Sequence, residues 1–187
     1  ALVTGASSGL GVHFAEVLHA AGAEVVLAAR RQDRLDALCR RLGERASAVA
    51  MDVRDTASVT RAIAAAGVVD ILINNAGVTV TGPVLDQTEQ DWDEVVDTDL
   101  KGVFLVATET ARTMRAAGRS GTIVNIASIL GLRQAGQVTG YAVAKAGLIQ
   151  LTKQLALELA RFDIRVNALA PGYFETEINR DFFRSEA

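Results

Sequence analysis

Short runs of apolar residues recur along the chain, and between them the apolar positions fall at three- and four-residue spacing. The runs at 1–4, 24–29, 46–51, 70–74, 121–126 and 165–169 are short and almost uniformly apolar, and they read as strands buried on both faces. Phe14, Leu18 and Ala21 share one face of a first intervening helix, and Leu35, Leu38 and Leu42 share one face of a second. A helix from about Asp91 carries Val96, Leu100, Val103 and Ala107 in register, and one after Tyr141 carries Leu148, Leu151, Leu155 and Leu159. Strands that alternate with helices need crossover connections, and these are right-handed. The pattern therefore predicts an α/β fold, a doubly wound parallel sheet with helices on both faces.

Composition narrows this picture. Residues 1–187, half of them hydrophobic, suffice for one domain with a substantial core, and no linker or repeat divides them. A net charge of -3 gives no reason to expect nucleic acid or anionic lipid as a partner. Cys39 stands alone in an apolar helical stripe, so it reads as a structural thiol with no intrachain disulfide. No apolar run reaches the roughly 18 residues of a membrane span, and a cytoplasmic location is expected. The chain opens on Ala1 already inside a strand, so it reads as a piece of a longer polypeptide, cut at both ends.

Directly after the first strand comes Thr4-Gly5-Ala6-Ser7-Ser8-Gly9-Leu10-Gly11, followed at once by the first amphipathic helix. Glycines here let backbone approach a pyrophosphate, and the helix N-terminus offers it unpaired N–H groups and a positive dipole end. The T-G-x-x-x-G-x-G spacing differs from G-x-G-x-x-G and lacks the Lys-Ser/Thr that a nucleoside triphosphate requires, which disfavours a kinase or ATPase. The plainer reading is a turn that only closes a strand onto a helix. At the end of the second strand, where an acidic residue would bind the ribose hydroxyls of NAD, stand Ala29 and Arg30. Arg30 can pair a 2′-phosphate through its fork, with Arg31 or Ser7 assisting, which points to NADP over NAD. Alternatively, Arg30, Arg31 and Arg34 form only the solvated start of a helix.

With these motifs stand Asp52-Val53 after the third strand, Asn74-Asn75-Ala76-Gly77 after the fourth, Ser128 after the fifth, Tyr141-Ala142-Val143-Ala144-Lys145, and Pro171-Gly172 closing the sixth. The ordered set, from the first residues to about Thr176, resembles the short-chain dehydrogenase/reductase family, in its 3-oxoacyl-reductase-like branch. The resemblance implies a Rossmann-type three-layer α/β/α fold, here apparently without its last strand. It also implies that Asp52 and Val53 contact adenine, that Asn75, Ala76 and Gly77 line the cofactor cleft, and that Phe174 and Thr176 approach the nicotinamide carboxamide. Gly5, Ser7, Ser8, Gly9, Leu10, Gly11, Arg30, Arg31, Tyr141, Lys145, Pro171 and Gly172 complete the expected cofactor site, and no metal enters it.

The chemistry of the Tyr-Lys pair follows from spacing. Residues four apart lie one above the other on a helix, so the Lys145 ammonium can approach the Tyr141 phenol. Opposite unit charges about 4 Å apart attract by about 4 kcal/mol at an effective dielectric of about 20, enough to make the phenol a general acid and base. Ser128 can hydrogen-bond the substrate oxygen as negative charge develops on it. The expected reaction interconverts a ketone and a secondary alcohol with NADP, Tyr141 transferring the proton. The alternatives are a Tyr-Lys pair on a solvated helix face and a serine that only caps a strand.

The segment from Trp92 to Phe104 resembles the family's stretch bearing a catalytic-site Asn, with Asp99 at the matching position; alternatively, Asp99 only fixes a helix bend. An anion there can blunt Lys145, so reduced turnover is expected, restored in Asp99→Asn. Asp99 also supports a second reading, a dinucleotide-binding sensor or structural subunit without turnover, which intact Ser128, Tyr141 and Lys145 oppose. An epimerase or dehydratase of the family's longer branch is disfavoured by the glycine spacing. Leu130, Gln134, Gln137 and Tyr173 are candidate pocket residues for a small carbonyl or alcohol substrate, and the choice among 3-oxoacyl thioesters, sugars, steroids and simple secondary alcohols stays open. The helices ending at Met114 and Ala160 are those that family members bury between subunits, so a homodimer or homotetramer is expected.

Overall fold

The computed structural model describes residues 1–174. Six strands form one parallel sheet in the order β3-β2-β1-β4-β5-β6, namely β1 (Leu2–Thr4), β2 (Val25–Ala29), β3 (Ala46–Ala50), β4 (Ile71–Asn74), β5 (Gly121–Ile126) and β6 (Ile164–Leu169). Each falls on one of the apolar runs. The register aligns Val26, Leu2, Leu72, Ile123 and Val166 across one face, and Leu27, Val3, Ile73 and Val124 across the other. The central strands of the doubly wound sheet are thus apolar on both sides, but the edge strands are not buried on both faces as expected: β3 has no fully buried residue, and Arg165 and Asn167 of β6 are exposed because helices cover an edge strand only in part.

The helices α1 (Gly9–Ala20) and α2 (Gln32–Leu42) cover the Val3 and Leu27 face. The helices α3 (Thr56–Ala66), α5 (Gly102–Ala116) and α6 (Thr139–Leu159) pack on the Leu2 and Leu72 side. In α2 the expected stripe holds, with Leu35 and Leu38 buried and Leu42 half-buried. In α1 the line shifts: Gly11 and Ala15 are fully buried and Phe14 and Leu18 flank them, while Ala21 caps the helix and is exposed. Lacking larger side chains, Gly11 and Ala15 let α1 sit close to the sheet, and that close approach displaces the predicted face.

The helix expected from about Asp91 is not continuous. It begins as α4 (Glu89–Val96), widens into one π turn at Asp97–Lys101, and resumes as α5. Thr88 starts it with a capping box: its hydroxyl accepts from Asp91 N at 3.2 Å, and Asp91 Oδ2 accepts from Thr88 N at 2.9 Å. The helix expected after Tyr141 begins before it, at Thr139, so Tyr141 lies within its first turn. Among the described residues no helix is long and apolar enough to cross a membrane.

Candidate active site

The strand order reverses between β1 and β4, and in a doubly wound sheet the crevice at that switch, beyond the carboxyl ends of the strands, is where a ligand binds. Two backbone turns meet there. Asn75 Nδ2 donates to Thr4 O at 3.0 Å and lies 3.4 Å from Gly5 O, while Asn75 N and Ala76 N both donate to Thr4 Oγ1 at 3.0 Å. These bonds tie the end of β4 to the glycine turn. Gly5 has φ +65, and a Cβ on Gly11 would lie 2.3 Å from Gly5 O and 2.6 Å from Asn75 Nδ2, so both glycines are required by the local packing.

The glycine turn fits a phosphate by an independent sign. Ser8 is the N-cap of α1, yet its side chain caps nothing, whereas Asp55 caps α3 by accepting from Ala57 N and Ser58 N. The first-turn N–H groups of α1 are therefore not capped by Ser8, and Gly9 and Leu10 of that turn line the cleft.

Gly5, Ser7, Ser8, Gly9 and Leu10 form one wall of an elongated cavity. Arg30, Arg31, Asp52 and Val53 line it as well, together with Asn75, Ala76 and Gly77. Gly11 is buried behind the turn. Arg31 reaches the glycine turn directly: Nη2 donates to Ser7 Oγ at 2.9 Å and Ser8 Oγ at 2.8 Å, and Nε to Ser7 Oγ at 3.2 Å. Arg30, exposed, lines the same cavity without reaching those hydroxyls. Arg54 also lines this cavity and was not singled out by the motifs; its place two residues beyond Asp52, inside a turn, was the available signal.

A second cavity continues from the first, sharing Leu10, Asn75 and Gly77, and it gathers Asp99, Ser128, Tyr141, Lys145, Pro171, Gly172 and Phe174. Thr176 lies outside the described residues. Lys145, buried in α6, donates from Nζ to Ile126 O at 2.9 Å, and its Nζ stands 5.4 Å from the centre of the Tyr141 ring. Ser128 Oγ accepts from Leu130 N at 3.1 Å, opening a single 3₁₀ turn, Ile129–Gly131. Of the proposed substrate-pocket residues, Gln134, Gln137 and Tyr173 are exposed, and none of them, nor Leu130, lines this cavity. Gln137 O instead accepts from Gly82 N at 2.9 Å, joining the segment after Ser128 to the one after Gly77.

Asp99 is fully buried on the π turn. Its Oδ1 accepts from Val78 N at 2.8 Å and its Oδ2 forms an ion pair with Lys145 Nζ at 3.1 Å. Burial holds the Asp99 carboxyl above its ordinary range; the Lys145 ammonium and the Val78 N–H pull it down and do not prevail. Gly77 makes room for it, since a Cβ there would stand 2.8 Å from Oδ2.

The whole chain, residues 1–187, matches the family model described as short chain dehydrogenase. It is 39% identical over 184 residues to the 3-oxoacyl-(acyl-carrier-protein) reductase FabG of Escherichia coli, an alignment covering 96% of this chain and 75% of that protein. Among solved structures it is similar to an F189W actinorhodin polyketide ketoreductase with NADPH, at TM-score 0.92 and 36% identity over 97% of this chain and 74% of the other. It is similar, too, to a gluconate 5-dehydrogenase from Burkholderia cenocepacia in complex with NADP and tartrate, at TM-score 0.93 and 38% identity over 98% and 74%. With the sheet order, the glycine turn and the Ser128, Tyr141 and Lys145 cavity in place, these matches show that the chain belongs to the short-chain dehydrogenase/reductase family of oxidoreductases.

Proposed function

We propose that the chain is a single catalytic domain that binds NADP in preference to NAD and interconverts a ketone and a secondary alcohol, with Tyr141 as general acid and base. The observation that carries the reading is the junction of two cavities: a phosphate-binding turn with an uncapped helix at one end, and Tyr141, Lys145 and Ser128 around one small space at the other. When bound, the nicotinamide supplies or accepts the hydride. Tyr141 gives its proton to the carbonyl oxygen in reduction and takes it back in oxidation. Ser128, whose oxygen already accepts from Leu130 N, keeps its hydroxyl hydrogen for the same substrate oxygen. Lys145 steadies the phenolate through its charge while the Ile126 carbonyl holds its position.

The preference for the 2′-phosphate is assigned to Arg31 and Arg30 together. Arg31 is set against the Ser7 and Ser8 hydroxyls, which gives a phosphate two hydroxyls and a guanidinium in one place. Both the ketoreductase and the gluconate dehydrogenase named above carry this form of the cofactor, reduced or oxidised. Arg30→Asp is expected to raise affinity for NADH relative to NADPH, and Arg31→Ala to weaken NADPH about tenfold with little change for NADH. An unchanged ratio in either variant removes that arginine from the role. A cytoplasmic location and a homodimer or homotetramer belong to the same reading. Its supports are the lone Cys39 and the groove between α5 and α6, where Phe104 is exposed beside half-buried Leu151 and Phe162.

One observation favours a second reading, a dinucleotide-binding sensor without turnover: the Asp99 carboxyl stands 3.1 Å from Lys145 Nζ. Fluorescence titration with NADPH and NADH, followed by a nicotinamide absorbance assay against 3-oxoacyl thioesters, keto-gluconates and simple ketones, separates the two. Binding with turnover supports the oxidoreductase. Binding without turnover on any of these favours the sensor, and no binding of either cofactor overturns the argument from the glycine turn onward.

A further inference from the structure

The far end of the cleft holds a charged side chain to which the reading above gives no task. Arg54 follows β3, and the Asp52 carboxylate accepts three bonds from it: from Arg54 N to Oδ1 at 3.0 Å, from Nε to Oδ1 at 3.2 Å, and from Nη2 to Oδ2 at 3.0 Å. The side-chain pair is a two-point fork, which fixes the carboxylate in the plane of the guanidinium. Asp52 N donates to Ser58 Oγ at 3.0 Å, so the pair is anchored to α3 as well. Glu94 and Asp97, from α4 and the π turn, lie on the outer side of Arg54 and reinforce its positive charge.

This arrangement leaves Asp52 with a defined remainder. An ionised carboxylate has about four lone-pair sites. Arg54 fills two on Oδ1 and one on Oδ2, so one acceptor site on Oδ2 is left, on a residue that lines the cavity. Arg54 also holds the Asp52 carboxyl below its ordinary range, so the remaining site is an acceptor and never a donor near neutral pH. With phosphates on the glycine turn and the reacting end at Tyr141, the opposite end of a dinucleotide lies over the carboxyl ends of β2 and β3, beside Asp52, Val53 and Arg54.

We infer that Arg54 is a positioning residue for the cofactor's base: it holds Asp52 as a single fixed acceptor, so that the site takes a purine with an exocyclic amine and rejects one with a carbonyl there. An amine donates into the open Oδ2 site. A carbonyl places a second acceptor against a carboxylate that cannot turn away. The inference rests on the cofactor reading above, and both can fail separately.

The test is a set of dissociation constants, by fluorescence titration, for NADPH, its hypoxanthine analogue and reduced nicotinamide mononucleotide. Wild type is expected to bind NADPH about tenfold tighter than the hypoxanthine dinucleotide, as one hydrogen bond to a charged group allows. Arg54→Ala is expected to bring the two to within about twofold, mainly by weakening NADPH, and to leave the mononucleotide unchanged. Arg54→Lys keeps the charge and loses the fork, and is expected to lose the discrimination equally. An undiminished ratio in Arg54→Ala, or equal weakening of all three ligands, would overturn the inference while leaving the cofactor reading in place. No binding of either dinucleotide by wild type would overturn both.

Discussion

At the scale of single residues, Asp99 is the residue whose proposed part in the site is tested most simply. The resemblance located it, the sign of its charge suggested that it blunts Lys145, and in the structure it forms a buried ion pair with Lys145 at 3.1 Å. Asp99→Asn removes the negative charge beside Lys145 while keeping an acceptor for Val78 N. Turnover is expected to rise severalfold near neutral pH, and the rising limb of alcohol oxidation to move toward acid. A pH–rate profile that does not move would remove Asp99 from control of the proton transfer. Stability follows a different sign. The Asp99 carboxyl is raised above 3.8, so the stability tied to its protonated form is fully present below that value and is lost as pH rises through the raised one. Wild type should therefore lose stability relative to Asp99→Asn between acid and neutral pH, measured by urea denaturation across a pH series. The residues that carry motifs were legible as a set through the family resemblance, whereas helix spacing alone paired only Tyr141 with Lys145. Arg54 was not, because its task depends on a fork with Asp52 that no spacing announces.

At the scale of elements, the strands were legible almost to the residue, since apolar runs of this length have no other stable place. The helices were less so. The apolar stripe through Val96, Leu100, Val103 and Ala107 predicts one straight helix, and it hides the π turn, because a single widened turn disturbs the period by only one residue. That turn carries Asp99 into the site. The α3 helix has a weak stripe of Val59, Ala62 and Ile63 among alanines, and only its Asp55 cap marks it. The glycine turn, by contrast, is set by space. Gly11→Ala would press a Cβ onto Gly5 O and Asn75 Nδ2, and is expected to cost about 1–3 kcal/mol in urea denaturation and to weaken NADPH binding. Gly82→Ala meets nothing within 4 Å and is expected to stay within about 0.5 kcal/mol of wild type. Equal effects of the two substitutions would contradict the packing account.

At the scale of the whole molecule, alternation of strand and helix was enough to give the parallel sheet, and the right-handed crossover rule its two covered faces. The order β3-β2-β1-β4-β5-β6 then puts the glycine turn and the end of β4 side by side, at the crevice where the proposed site lies. What the pattern along the chain could not convey is which side chains turn inward at the crevice, since this depends on contacts between segments far apart in sequence, such as Val78 with Asp99. In the proposed reaction Tyr141 moves the proton and NADPH supplies the hydride. Tyr141→Phe, compared with wild type for NADPH binding and for steady-state ketone reduction, tests it most directly. The variant is expected to hold NADPH with a dissociation constant within a few-fold of wild type and to reduce the ketone about a hundredfold or more slowly; binding of NADPH with turnover near the wild-type rate would show that Tyr141 does not move the proton.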